Sequence, residues 1–250
     1  STRSDEDDAY EDDFESDEEE RSDRASLRRG ESKSLEPSWR AIALDELEIG
    51  DQIGGGGFAL VHRGRWRGHR VAIKTLFDPN VDEALKQEFM DELLVMSRVH
   101  HPNIVRLLGA CVKPPKLCFV MELCGQSVFN LLHMTRTELE QKQLLSIALD
   151  TARAMLYLHS QTPAIVHRDL KTHNLLIDYG GRIKVCDFGL VSTRSKCAGT
   201  PNYMAPELLR GGSAFSKKVD VYAFGILLWE VFTRRIPFHG EEPDDIQRKV

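Results

Sequence analysis

Between Ile165 and Gly189 the chain reads IVHRDLKTHNLLIDYGGRIKVCDFG, and this stretch restricts the possible folds more than any other. Leu175 to Ile177 and Ile183 to Val185 are short, apolar and rich in β-branched residues, and they flank the turn signal Asp178, Tyr179, Gly180, Gly181. Runs of that kind on either side of Asp and Gly predict a β-hairpin. Pairing about the midpoint between Gly180 and Gly181 sets position 174 opposite 187, so Asn174 and Asp187 are expected side by side at the hairpin's open end. Asp169, five residues before Asn174, points a second carboxylate into that space.

Carboxylate and amide oxygens without His or Cys suit Mg²⁺, a hard cation that keeps waters and is usually shared with substrate phosphates. Phosphoryl transfer is the chemistry this cluster favours. Any one of these residues alone reads as a solvated side chain at a turn. Together, HRDLKTHN followed by DFG resembles the catalytic loop and metal-binding loop of eukaryotic protein kinases.

Length and charge set the frame around that cluster. A chain of 250 residues, 41% of them hydrophobic, can bury one large core or two lobes. The net charge of −6 is an average of unlike parts, because residues 1–24 hold thirteen Asp or Glu against three Arg, about −10, which leaves about +4 elsewhere. Residues 1–40 are expected to be a disordered acidic tail, since Asp, Glu, Ser and Arg bury too little to offset the entropy of ordering. The tail reads first as solubilising, with Ser4, Ser16, Ser26 and Ser32 as candidate phosphorylation sites. The five cysteines are odd in number and form no CxxC pair, so they suggest neither a disulfide framework nor a zinc site and fit a reducing compartment. No run reaches the roughly 18 apolar residues of a membrane span, and the start is acidic where a signal peptide is basic. The expectation is a cytoplasmic chain and, because it begins at Ser, a piece of a longer protein.

Leu47, Ile49 and Ile53 open a strand, and IGGGGFALV from Ile53 to Val61 sets a glycine run before the next one. Backbone N–H groups can wrap phosphate oxygens where no Cβ blocks the approach. The segment resembles the kinase GxGxFGxV loop at Gly54, Gly56, Phe58 and Val61, with Gly55 and Gly57 between and Ala59 where the third Gly usually stands. That departure implies a modest effect on nucleotide affinity. In the VAIK run, Ala72 and Lys74 share one face of a strand and Val71 and Ile73 the other. Ala72 leaves room for an adenine, and Lys74 brings a cation to phosphates.

Leu85, Phe89, Glu92, Met96 and Val99 recur at spacings of four and three, which predicts an amphipathic helix over 81–99. Glu92 stands in the apolar stripe, where an unpaired carboxylate is costly. Lys74 is its natural partner, and Glu88 is the rival candidate one turn earlier. Apolar runs at 104–108 and 117–120 read as two further strands of an antiparallel sheet. The resemblance implies that Met121 borders the adenine pocket, that Glu122, Leu123 and Cys124 form the hinge, and that Ile53 and Leu176 also contact the nucleotide.

Leu144, Ile147, Ala148, Thr151, Met155 and Leu158 mark a second amphipathic helix. Gly199 to Glu207 resembles the GTPxYMAPE close of a kinase activation segment, preceded by the hydroxyls of Ser192, Thr193 and Ser195. Val219 to Val231 is apolar nearly all round and reads as a buried core helix carrying Asp220, which in kinases pins the catalytic loop from below. Cys186 is expected to be a buried filler facing the nucleotide site, and His167 to be structural. Kinase domains continue past the point matched by Val250, so the large lobe is expected to be incomplete and Glu207 to lack its usual Arg.

The resemblance therefore implies an α+β, bilobal protein-kinase fold: an antiparallel small lobe with one main helix at 41–124, and a mostly helical, partial large lobe at 125–250. Lys171, with Thr200 in place and WRAIALDELEIG ahead of the glycines, resembles a tyrosine-kinase-like Ser/Thr kinase of the Raf-like or mixed-lineage type, as in MAP kinase cascades. ATP and Mg²⁺ are the implied cofactors. Asp169 would accept the substrate proton, Lys171 would stabilise the γ-phosphate, Asn174 and Asp187 would hold Mg²⁺, and Lys74, fixed by Glu92, would align the phosphates. The implied partners are protein substrates with Ser or Thr acceptors and an upstream kinase acting on Ser192, Thr193 or Ser195, with no nucleic acid and no membrane span. A pseudokinase scaffold is the competing reading.

Overall fold

A computed structural model describes residues 39–55, 59–76, 83–113, 116–188, 199–211 and 216–250. Residues 1–38 of the expected acidic tail, Gly56, Gly57, Phe58, Val81, Gly189, Ser192, Thr193 and Ser195 lie outside the described residues, whereas Arg40 at the end of that expected tail accepts from Ala110 N at 2.9 Å.

Strands β1 (Leu47–Gly55), β2 (Ala59–Trp66) and β3 (His69–Leu76) precede helix α1 (Glu83–Arg98), and β4 (Leu107–Cys111) and β5 (Cys118–Glu122) follow it. They form a five-stranded sheet in the order β1-β2-β3-β5-β4, with every neighbouring pair antiparallel. The β2–β3 link is tight because Arg67 and Gly68 both take left-handed φ, 50° and 79°, as a two-residue hairpin loop between Trp66 and His69 requires. Alternation along β3 sorts the VAIK side chains as the pleat demands. Val71 and Ile73 pack on the outer face with Ile42, Trp66 and Val120, while Ala72 joins the inner core with Phe119 and α1. Phe89 and Phe119 stack there at 4.3 Å between ring centroids.

The rest of the chain is mainly helical. Short α2 (Val128–His133) and long α3 (Gln141–His159) lead to a two-stranded hairpin, β6 (Leu175–Ile177) and β7 (Ile183–Val185), and then come α4 (Pro206–Leu209), α5 (Lys218–Thr233) and α6 (Pro243–Lys249). No helix among the described residues is long and apolar enough to cross a membrane.

Three expectations are corrected. The hairpin pairs Leu175 with Val185 and Ile177 with Ile183, so it is centred on Gly180 and sets Asn174 opposite Cys186, one residue off the expected 187. The cause is the turn. Asp178 Oδ1 accepts from the amides of Gly180 and Arg182, at 2.8 and 2.9 Å, and Gly181 takes φ +82°, giving a loop of odd length. Second, β4 begins at Leu107, not 104. Ile104 and Val105 meet the hairpin: Val105 N donates to Val185 O at 2.9 Å, Val185 N to Asn103 O at 2.8 Å, and Asn103 Nδ2 to Ile183 O at 2.9 Å. Third, α5 is buried on one side only, since Val221, Trp229 and Phe232 are 63%, 45% and 48% exposed.

Candidate active site

The loop between α3 and β6 is held from beneath. Asp220 on α5, almost fully buried, accepts from the backbone amides of His167 and Arg168, both at 2.8 Å, and lies 2.8 Å from His159 Nε2. Arg168 takes φ +69°, outside the regular conformations, and the Asp220 carboxylate holds its amide and the one before it in place. His167 is buried, with Nε2 3.0 Å from Cys186 O while Nδ1 accepts from Asp169 N at 3.3 Å. Burial lowers its pKa, so the ring is neutral and serves as a bracket between loop and hairpin.

Asp169 gathers four groups. Its Oδ1 accepts from the Thr200 amide at 3.1 Å and the Thr200 hydroxyl at 2.9 Å, and its Oδ2 lies 2.7 Å from Lys171 Nζ and 3.2 Å from Asn174 Nδ2. Lys171 also donates to Thr200 Oγ1, at 2.7 Å. A carboxylate and an ammonium thus share one hydroxyl. Asn174 is tied to the same loop through Nδ2 and Asp169 O, 2.8 Å, while its carbonyl accepts from Cys186 N at 3.0 Å. That last bond brings Asn174 next to Asp187 despite the shifted register.

A second cluster lies between sheet and hairpin. Lys74, buried on β3, donates to Asp187 Oδ1 at 2.7 Å and stands 3.9 Å from Glu92 of α1. Burial works against the Lys74 charge, but Asp187 and Glu92 outweigh it and its pKa is raised. Burial also acts against the Asp187 charge, and the Lys74 charge and hydrogen bond leave that carboxyl lowered. Glu92 is the strained partner. Burial pushes it up to about 7, against the pull of Lys74 and with a push from Asp187. Cys186 beside them is half-buried, not fully buried as expected, and burial and Asp187 hold its thiol well above the usual range.

Val61, Ala72, Met121, Leu123, Cys124 and Leu176 belong to one apolar cluster, joined where Gly125 N donates to Ile177 O at 2.7 Å and Ile177 N to Gln126 O at 3.0 Å. Burial pushes the Cys124 thiol up to about 12. Ile53, Gly54 and Gly55 lie exposed on β1, with Gly54 paired to Val61 and Gly55 to Leu60 on β2, and Ala59 starts β2. The register then sets Val61 opposite Lys74.

Two ion-pairing residues escaped the sequence reading. Lys184 on β7 meets Glu122 at 2.7 Å, and Glu122 also accepts from Arg106 N at 2.8 Å, so the hinge side chain ties the sheet to the hairpin. Glu230 on α5, fully buried, accepts from Tyr203 and Thr172 and faces His133. Both are charges inside apolar runs, the signal that singled out Glu92.

The family model for the protein kinase domain matches residues 47–250. The probable serine/threonine-protein kinase drkA of Dictyostelium discoideum is 40% identical over 208 residues, 81% of this chain and 32% of its own length. The probable serine/threonine-protein kinase SIS8 of Arabidopsis thaliana is 42% identical over 211 residues, 81% of this chain and 20% of that one. The serine/threonine-protein kinase CTR1 of Arabidopsis thaliana is 42% identical over 216 residues, 82% of this chain and 26% of that one. The chain therefore spans a third or less of the length of these relatives. The antiparallel sheet with its helix, the helical lobe below and the matched domain agree: this chain belongs to the protein kinase family.

Proposed function

We propose that the chain is an ATP-dependent serine/threonine kinase acting on protein substrates, of the tyrosine-kinase-like group, with its kinase domain at 41–250 and an intracellular signalling role. The observation that carries this reading is the shared hydroxyl of Thr200, 2.9 Å from Asp169 and 2.7 Å from Lys171. A hydroxyl fits between the carboxylate and the ammonium, the relation an acceptor Ser or Thr needs with its base and with the cation that steadies the transferred phosphate.

Asp169 orients the acceptor hydroxyl and takes its proton as the oxygen bonds to the γ-phosphorus and the bond to the β,γ-bridging oxygen breaks, releasing ADP. Lys171 offsets the charge on the phosphoryl oxygens. Lys74 aligns the nucleotide phosphates, held by Glu92, and Ala72, Val61, Met121 and Leu176 form apolar walls for the base, with Ile53 and the glycine edge above. Because Asn174 Nδ2 faces Asp169, its Oδ1 is left as a candidate metal ligand, and together with the Asp187 carboxylate it would supply two hard oxygens that suit Mg²⁺. When bound there, Mg²⁺ neutralises phosphate charge. An upstream kinase acting on Ser192, Thr193 or Ser195 belongs to the same reading.

Retention of Lys74, Glu92, Asp169, Asn174 and Asp187 together argues against a scaffold without catalysis. Asp169→Ala and Asp187→Ala are expected to keep the fold, judged by circular dichroism, and to abolish phosphate transfer to a peptide library. Wild-type transfer by either variant would defeat the assignment.

A further inference from the structure

Cys111 and Cys118 are separated by six residues, a spacing that carries no signal in the sequence. The register of the sheet brings them together. β4 and β5 run antiparallel with Cys111 opposite Cys118, and both side chains belong to the outer cluster with Val71, Ile73 and Val120. Opposed residues of antiparallel strands stand about 4.5–5.5 Å apart between Cα atoms, inside the roughly 4.4–6.8 Å that a disulfide spans. The sulfurs already interact, since the Cys118 thiol is hydrogen-bonded to both the amide and the thiol of Cys111. Cys124 and Cys186 belong to the inner cluster instead.

Two effects oppose each other at this pair. Cys118 is fully buried and Cys111 nearly so, and burial pushes the Cys118 thiol up to about 12, so a first attack on an oxidant is slow. Once one sulfur is oxidised, its neighbour is already in place as an intramolecular nucleophile, and well-placed groups of that kind reach effective concentrations of about 10⁵ M or more. The second step therefore outruns further oxidation. Access falls to Cys111. Its strand β4 is the last of the sheet, bridged on its far side by Ala41 through Ala110, and local opening there uncovers Cys111 before Cys118 on the interior strand β5.

We propose that Cys111 and Cys118 form a redox modification site that closes to a cross-strand disulfide in the folded chain, with a hydroperoxide as the oxidant. With hydrogen peroxide, Cys111 Sγ attacks one peroxide oxygen, the O–O bond breaks, and the departing hydroxide takes the Cys111 proton and leaves as water, giving a sulfenic acid. Cys118 Sγ then attacks the Cys111 sulfur, the S–O bond breaks, and the hydroxide leaves with the Cys118 proton as a second water. The two thiols together lose two electrons and two protons, and the peroxide takes them up. Because the bond joins strands that are already paired, it acts as a reversible clip on the sheet, opened by a dithiol. The inference does not depend on the kinase reading.

The test exposes the full chain to hydrogen peroxide in native buffer, with the fold followed by circular dichroism, and then alkylates it with N-ethylmaleimide. Trypsin without reductant cuts at Lys116, between the two cysteines. Peptide mass with fragmentation is expected to show Cys111 linked to Cys118, two hydrogens lighter than the separate peptides, and dithiothreitol to restore both thiols. The thermal midpoint of the oxidised chain is expected to rise by about 5 °C, because the closed loop restricts the unfolded chain, and the rise to vanish in Cys111→Ser and Cys118→Ser. The wild-type peptide map stands without either variant, so it decides the matter even where a variant fails to fold. Four results overturn the inference: both thiols alkylated as free after oxidation, a sulfinic acid at either position in place of the linked peptide, a disulfide from either to another cysteine, or an oxidised chain that melts no higher than the reduced one.

Discussion

Glu92→Gln should make this protein more stable and less active at the same time. The Glu92 side chain is only 11% exposed, and burial pushes its pKa from 4.5 up to about 7 even with Lys74 at 3.9 Å. A carboxyl with a folded pKa above its unfolded one binds its proton more tightly in the native state. Its ionisation therefore lowers stability as pH rises from the unfolded value through the folded one. At about 1.4 kcal/mol per pKa step, the interval from 4.5 to about 7 corresponds to roughly 3 kcal/mol when complete, and roughly 2.5 kcal/mol of it falls between about pH 5 and about pH 8. Glutamine has the same shape and no ionisation, so the variant escapes that loss. Urea unfolding of both proteins at the two pH values should show the variant gaining stability over wild type by roughly that amount as pH rises. Phosphate transfer should fall, because Lys74 loses one of the two anions that hold it. Parallel stability profiles, or a variant less stable than wild type at the higher pH, would refute the argument that burial dominates at Glu92.

Asp220→Asn should lower the unfolding free energy by about 2 kcal/mol, since an amide group meets two buried backbone donors less well than a carboxylate does. Thermal unfolding measures this, and an unchanged midpoint would show that the loop holds itself. Cys186 should resist maleimide in the native chain at neutral pH and react once the chain is unfolded in urea, as read by peptide mass, because burial suppresses its thiolate.

Much of the site is legible in the sequence because its partners lie where local rules put them. The period of two along β3 placed Lys74 and Ala72 together, and the spacing of three and four along α1 put Glu92 on the buried side. The hairpin strands followed from Asp178 and the glycines. Their register did not, because the Asp178 side chain captures two amides and makes the loop odd, a detail below the level of a turn signal. Ile104 and Val105 read as strand and are buried, yet the backbone there is spent on Val185, through Val105 N and Asn103 O, with Val185 lying 80 residues beyond Val105 in the chain. The pairs of Lys184 with Glu122 and of Glu230 with His133 are equally distant in sequence, 62 and 97 positions apart, so spacing says nothing about them. The open side of α5 was missed for another reason: composition reports how apolar a helix is, not which neighbours cover it.

The seam between Asn103–Val105 and β7 has a mechanical consequence. It anchors the sheet beside its β4 margin, and the Glu122–Lys184 pair adds a rivet on the adjoining strand. Most of the backbone and ionic links lie toward that margin, with Lys74–Asp187 the further link from β3, so a swing of the sheet is easiest about it, like a door on its jamb. The opposite margin, β1 with its glycines, then sweeps the widest arc, while Asp187, two residues beyond the hinge line at Val185, scarcely travels. On the proposed reading a nucleotide would enter and leave at that outer rim, while the charged groups near the jamb keep their alignment.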